Sequence, residues 1–178
     1  MIILITGGSK CGKSSAAEKI LDGFPGEKYY IAAMEPWGDD ALRAIARHRE
    51  MRRGKGFLTI ERPREIGSLE LPDNGLPRCA LLECLTTLCA NEMFTPAGIT
   101  DPSEKIVAGI KKLSEQAEKL VIVTNEVSSD GIEYPAETMD YIRIMSRLNS
   151  AVAELSDTVT ECVCGIPLVL KGELKWPC

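Results

Sequence analysis

Eight residues near the amino terminus, Gly7-Gly8-Ser9-Lys10-Cys11-Gly12-Lys13-Ser14, fit the spacing G-x-x-x-x-G-K-[ST], and the chemistry of that pattern is triphosphate binding. Glycines let successive backbone N–H groups close on one phosphate, and the N-terminus of a following helix adds positive potential behind them. Lys13 is then placed to reach the β- and γ-phosphates, and Ser14 to offer a hydroxyl oxygen to Mg²⁺. The context is the required one. An apolar run, Ile2-Ile3-Leu4-Ile5-Thr6, precedes the loop and a helical pattern follows it. The expected ligand is a nucleoside triphosphate.

A second candidate is the stretch Arg43-Ala44-Ile45-Ala46-Arg47-His48-Arg49-Glu50-Met51-Arg52-Arg53, where the sole histidine of the chain lies among five arginines. On a helix Arg52 falls one turn beyond His48, on the same face. Positive neighbours disfavour an imidazolium and leave a nucleophilic imidazole, and forked guanidinium donors match phosphate oxygens. Such an imidazole could attack an α-phosphate and form a phosphoramidate. A solvated basic helix with one surface histidine fits the same residues equally well.

The strand Cys79-Ala80-Leu81-Leu82 runs into Glu83, and a carboxylate at that place in a phosphate-loop protein helps hold Mg²⁺ beside the triphosphate. Thr86, Thr87 and Asn91 follow it, as ligand-orienting groups or as helix caps. Val121-Ile122-Val123 ends in Thr124-Asn125-Glu126, polar groups that line an acceptor pocket or simply satisfy a strand end.

These residues need a scaffold that brings strand ends together. Apolar runs alternate with helical patterns, the signature of a mostly parallel sheet flanked by helices. Strands are expected at Ile2–Thr6, Lys28–Ala33, Phe57–Glu61, Cys79–Cys84, Leu120–Asn125 and Thr158–Cys164, with Pro167–Leu170 closing an antiparallel hairpin around Gly165-Ile166. Helices are expected at Lys13–Leu21, at Asp39–Arg53, after an Asp101-Pro102 cap with Ile106, Ile110, Leu113 and Ala117 inward, and after Pro135 with Ile142, Met145, Leu148/Asn149, Val152 and Leu155 inward. Gly67–Pro77 reads as a surface loop. In open parallel sheets ligands collect at the carboxyl ends of the strands, where the motifs lie.

At 178 residues the chain fits one domain, 1–178, a single phosphate-loop nucleotide-binding unit. Its net charge of −5 argues against general nucleic-acid binding. The opening apolar run is too short for a signal peptide or membrane span, so a cytoplasmic protein is expected. The seven cysteines lack zinc-site spacing. Cys79, Cys84, Cys162 and Cys164 read as small buried hydrophobes, and Cys11 as a small loop residue. These features leave open a nucleotidyl-transferring kinase, a single-step small-molecule kinase and a non-enzymatic nucleotide switch.

Taken in order, Thr6-Gly7-Gly8 through Gly12-Lys13-Ser14, Tyr30-Ile31-Ala32, His48-Arg49-x-x-Arg52, Thr59-x-Glu61, Leu82-Glu83-Cys84-Leu85-Thr86-Thr87 with Asn91, and Val123-Thr124-Asn125-Glu126-Val127 resemble the bifunctional adenosylcobinamide kinase / adenosylcobinamide-phosphate guanylyltransferase family of cobalamin biosynthesis. The resemblance implies phosphorylation of adenosylcobinamide by ATP or GTP. It then implies transfer of GMP from GTP, through a guanylyl-histidine, to give adenosylcobinamide-GDP. It places the nucleophile on His48 and nucleotide contacts on the phosphate loop, Ala32, Ala33, Met34, Arg49, Glu50, Met51, Arg52, Glu61 and Glu83. It also implies Mg²⁺ on Ser14 and Glu83, a RecA-like fold and a homotrimer. The chain departs from the family at Lys10-Cys11, at Arg53-Gly54-Lys55-Gly56-Phe57, one residue longer, and in a longer loop after Val127.

Overall fold

The computed structural model describes residues 1–178 apart from 37, 128–130, 133 and 175–178, and the side chains of residues 40, 41, 44 and 51 are also outside the description. Seven strands form one sheet: β1 (Ile2–Thr6), β2 (Glu27–Ala32), β3 (Phe57–Glu61), β4 (Arg78–Glu83), β7 (Lys119–Val123), β8 (Thr158–Val163) and β9 (Ile166–Lys171). Their order is β3-β2-β4-β7-β1-β8-β9, with every neighbouring pair parallel except β8 and β9. This is the expected α/β phosphate-loop architecture, with its antiparallel hairpin at one edge.

The central strands are near-continuous apolar runs because helices cover both faces of the sheet. On one face Leu4, Ile31, Leu82 and Ile122 meet α3 (Leu85–Met93), α4 (Ser103–Gln116) and α5 (Ala136–Leu155). On the other, Ile3, Ile5, Leu81 and Val121 meet Ala17, Ile20 and Leu21, on and just past α1 (Lys13–Ile20). Each fully buried Leu or Ile contributes about 1.5–3 kcal/mol, so the rigid part of the molecule is the middle of the sheet. The carboxyl ends of β1, β2, β3, β4 and β7 open on one edge of it. All the sequence motifs emerge there.

Several expectations need correction. In α5 the buried side chains are Ile144, Met145, Leu148 and Val152, while Ile142 is half-buried: the inward stripe is set by Ile144 one turn before Leu148. The first part of Gly67–Pro77 is core rather than surface. Ile66 begins a single 3₁₀ turn (Ile66–Ser68), and Leu69 and Leu71 are buried beyond it. Gln116 holds this segment through the Leu71 amide at 2.8 Å and the Leu69 carbonyl at 3.0 Å. The approach of α4 is close enough that a Cβ on Gly109 would meet the Gly67 nitrogen at 2.8 Å. Cys164 is exposed in the hairpin turn, with positive φ at Cys164 and Gly165; the turn is therefore Cys164-Gly165, the φ > 0 pair a two-residue hairpin asks for. Cys178 lies outside the described residues. A small hairpin, β5 (Phe94–Thr95) and β6 (Gly98–Ile99), carries too short a pattern to be read in advance.

Candidate active site

The phosphate loop is fixed by its backbone before any side chain acts. Gly7 has φ 138°, and a Cβ there would meet the Cys162 carbonyl oxygen at 2.5 Å, so no other residue fits without moving β8. The Glu126 amide donates to the Gly7 carbonyl at 3.2 Å and the Gly165 amide to the Cys11 carbonyl at 2.8 Å. The segment just past β7 and the β8–β9 turn thus brace the loop. Lys13 is buried, and its ammonium donates to the carbonyls of Gly7 (2.9 Å) and Gly8 inside the curl.

Ser14, in the first turn of α1, donates its hydroxyl to Glu83 Oε1. Glu83 closes β4 and is only 8% exposed, and its second oxygen accepts the Tyr30 hydroxyl at 3.1 Å. Burial, and then the Glu83 charge, pushes the Tyr30 hydroxyl far above its ordinary value, so it stays protonated and can donate.

His48 is carried by α2 (Gly38–Met51). Its Nδ1 lies 3.5 Å from the Tyr30 hydroxyl and 3.7 Å from Glu83 Oε1. The sequence surrounds His48 with arginines, whereas the structure also sets a carboxylate against it. Arg52, one turn on, is buried with its guanidinium carbon 3.3 Å from the Tyr30 ring centroid, a cation–π stack. Its buried Nη1 has no hydrogen-bond partner among the described residues. A buried guanidinium nitrogen without a partner is costly unless a ligand completes it, and an anion does so.

The loop and the helix enclose one cavity of about 510 Å³. It is lined by Ser9, Lys10, Cys11, Gly12, Lys13 and Ser14, and across it by His48, Arg49, Arg52, Glu61 and Glu83, with Ala32 and Met34 at its side. Gly7 and Gly8 shape the loop from behind. Ala33 is fully buried, its amide on the Glu83 carbonyl at 3.0 Å. Glu50 turns to Arg53 at 3.2 Å on the outer face of α2, and the Met51 side chain lies outside the described residues. Of the polar strand ends, Asn125 and Thr87 reach the cavity. Thr124 is satisfied by Asn149 at 2.7 Å, and Asn91 ties the carbonyls of Ala33 and Pro63 together at 2.8 and 3.0 Å.

Tyr30, Thr59 and Cys84 also line the cavity without having been given a site role, and Arg47 lines it as one of the five arginines around His48. Tyr30 had one available signal: alternation along β2 puts it on the same sheet face as Ala32. Around the departure at Arg53–Phe57, Lys55 reaches back to the buried Glu18 of α1 at 2.5 Å, so the longer turn is anchored to the same helix that carries Ser14.

Residues 3–170 match the family model described as CobU: cobinamide kinase / cobinamide phosphate guanyltransferase. The chain belongs to the cobinamide kinase / cobinamide phosphate guanyltransferase family. Among this enzyme family's members it is 31% identical to the bifunctional adenosylcobalamin biosynthesis protein CobU of Escherichia coli strain K12, over 96% of the chain and 100% of that protein. It is 29% identical to the corresponding CobP of Pseudomonas aeruginosa, over 96% of the chain and 97% of that protein. Among solved structures it resembles a type III secretion system ATPase of pathogenic bacteria, with TM-score 0.58 at 10% identity, over 90% of this chain and 50% of that one. That likeness bears on the fold alone, and agrees with a phosphate-loop architecture.

Proposed function

We propose that the chain carries out both family reactions in the one cavity. A triphosphate in the Gly7–Ser14 loop gives its γ-phosphoryl group to the hydroxyl of adenosylcobinamide. GTP in the same loop then gives GMP to His48, with loss of pyrophosphate, and the phosphorylated corrinoid takes GMP from His48 to form adenosylcobinamide-GDP. One observation carries this reading: the phosphate-loop residues Lys13 and Ser14 and the sole histidine line one cavity, and Glu83 joins Ser14 to that histidine. A single displacement needs no histidine there; a phosphoramidate divides guanylyl transfer into two easier steps.

Lys13 would carry the phosphate charge, and Arg52 supplies a buried donor for phosphate oxygens on the His48 side of the cavity. Ser14 and Glu83 are adjacent hard oxygen donors, which suits Mg²⁺, an ion usually held by one or two protein oxygens together with substrate phosphates. Bound there, Mg²⁺ would neutralise charge developing on the phosphate oxygens. In a homotrimer, which the family resemblance implies, the exposed apolar side chains of the hairpin, Ile166, Leu168 and Leu170, at 63%, 47% and 62% exposure, would be available for contact between copies. Cytoplasmic placement is supported by the nucleotide chemistry and by the free thiols. Among the described residues no helix is long and apolar enough to cross a membrane.

The test is incubation with GTP labelled at the α-phosphate. The protein takes up acid-labile label, and His48→Ala takes up none while retaining γ-phosphoryl transfer. A wild-type protein that phosphorylates the corrinoid and stays unlabelled contradicts the guanylyl-histidine.

A further inference from the structure

Tyr30 is not one of the residues to which the family resemblance gives a role, yet its hydroxyl stands at the centre of the site. It donates to Glu83 Oε2 at 3.1 Å and lies 3.5 Å from His48 Nδ1, while its ring carries the Arg52 guanidinium. A phenol has one proton to give and an ionised carboxylate has none, so that proton lies toward Glu83 and the oxygen turns a lone pair toward His48. The other oxygen near Nδ1 is Glu83 Oε1 at 3.7 Å, which itself accepts from Ser14. Both oxygens facing Nδ1 are acceptors. The ring nitrogen between acceptors is the one that carries hydrogen, because the tautomer of a histidine follows the hydrogen bond made by its other nitrogen. The separations are at and just past the ordinary hydrogen-bond limit, and catalytic hydrogen bonds commonly tighten only in the reacting complex.

We infer that Tyr30 is a positioning residue for guanylyl transfer: its hydroxyl, fixed by Glu83, holds His48 as the Nδ1–H tautomer and leaves the Nε2 lone pair free to attack the α-phosphorus of GTP. The catalytic part of this inference rests on the guanylyl-histidine reading above. In the step the Nε2–P bond forms and the bond from that phosphorus to the bridging oxygen breaks, with the electron pair leaving on pyrophosphate. No proton has to move. The neutral imidazole becomes a phosphorylated imidazolium whose Nδ1–H still faces Tyr30 and Glu83, and whose positive charge faces the carboxylate. When a phosphate oxygen of the acceptor attacks the same phosphorus, the N–P bond breaks and its electron pair returns to Nε2, restoring neutral His48. Arg52 stacks its guanidinium on the Tyr30 ring, 3.3 Å from the centroid, a cation–π contact on that side chain.

Tyr30→Phe keeps the ring under Arg52 and removes only the hydroxyl. Because His48 is the sole histidine, ¹⁵N NMR of histidine-labelled full-length protein reads the tautomer from one residue. The wild type should carry its proton on Nδ1, and Tyr30→Phe should shift population toward Nε2–H. Guanylylation by α-labelled GTP should slow by about 10- to 100-fold, a larger loss than in γ-phosphoryl transfer, which needs no histidine nucleophile. A wild type protonated on Nε2, or a Tyr30→Phe protein with unchanged tautomer and labelling rate, overturns the inference. The wild-type spectrum decides the tautomer even if the variant fails to fold. Wild-type protein that takes no label from GTP removes the guanylyl-histidine reading itself, and the catalytic role of Tyr30 with it. Label on a His48 protonated at Nε2 overturns the Tyr30 inference alone.

Discussion

The two walls of the cavity are built differently. The phosphate loop hangs between β1 and α1 at the middle of the sheet, where Ile3, Ile5, Leu81 and Val121 are fully buried, and it is braced by backbone hydrogen bonds from Glu126, just past β7, and from the β8–β9 turn. The opposite wall is α2, beside the edge strand β3. None of its described side chains is buried, and only Ile45 and His48 are half-buried. What holds α2 in place at its far end is polar: Arg52 on Tyr30, and Lys55 just beyond on Glu18. On the proposed function, the wall used in both reactions is the one that sits in the core, and the wall that would add the covalent step is a helix whose described side chains are not buried. Such a difference would suit a helix that takes up and releases a guanylyl group.

The comparison breaks most visibly at Lys13. Lys13→Ala should lower both phosphoryl and guanylyl transfer by about 10²–10³-fold, measured with γ- and α-labelled nucleotide, because the proposed function runs both reactions on the loop. Next come the two supports. Leu81→Ala in β4 should cost about 2–5 kcal/mol of stability by urea denaturation, whereas Leu42→Ala on α2, where Leu42 is 51% exposed, should stay within about 0.5 kcal/mol. Equal costs would mean that α2 is packed as firmly as the sheet.

Smaller effects sharpen the division of labour. Arg52→Met keeps the stem on Tyr30 and removes the donor, and should cost guanylyl transfer roughly 1.5–3 kcal/mol, about ten- to a hundredfold, with a smaller loss in phosphoryl transfer. Native-state hydrogen exchange should show α2 amides opening well before those of α1 and β1, and slowing when GTP is added. The smallest effect is expected at Arg49→Ala. Its pair with Glu61 at 2.6 Å is exposed on both sides, so the change in stability should be below about 1 kcal/mol.

The rigid wall was legible in the sequence and the thin one only in part, for a physical reason. A phosphate loop is contiguous: strand, glycines, Lys13, Ser14 and helix follow one another along the chain, and local backbone geometry does the work. Glu83 was legible because an acid ends an apolar strand. His48 could be picked out as the only histidine among arginines, but the same pattern describes a plain surface helix, and only tertiary contact separates the two. Tyr30 depends on register. It meets Glu83 because β2 pairs in parallel with β4, aligning Ala32 with Glu83 and Tyr30 with Leu81, and no local pattern announces that pairing. Likewise Leu69 and Leu71 lie in a stretch rich in proline and glycine that reads as surface, and become core because Gly67 and Gly109 let α4 come close.

The central claim, that a nucleotide held by the loop is passed to the histidine across the cavity, is tested most directly by mass spectrometry of the intact protein and its peptides after GTP. The account predicts one GMP adduct, on the peptide containing His48, absent from His48→Ala and strongly reduced in Lys13→Ala. An adduct on any other residue, or one that forms unchanged without Lys13, would contradict it.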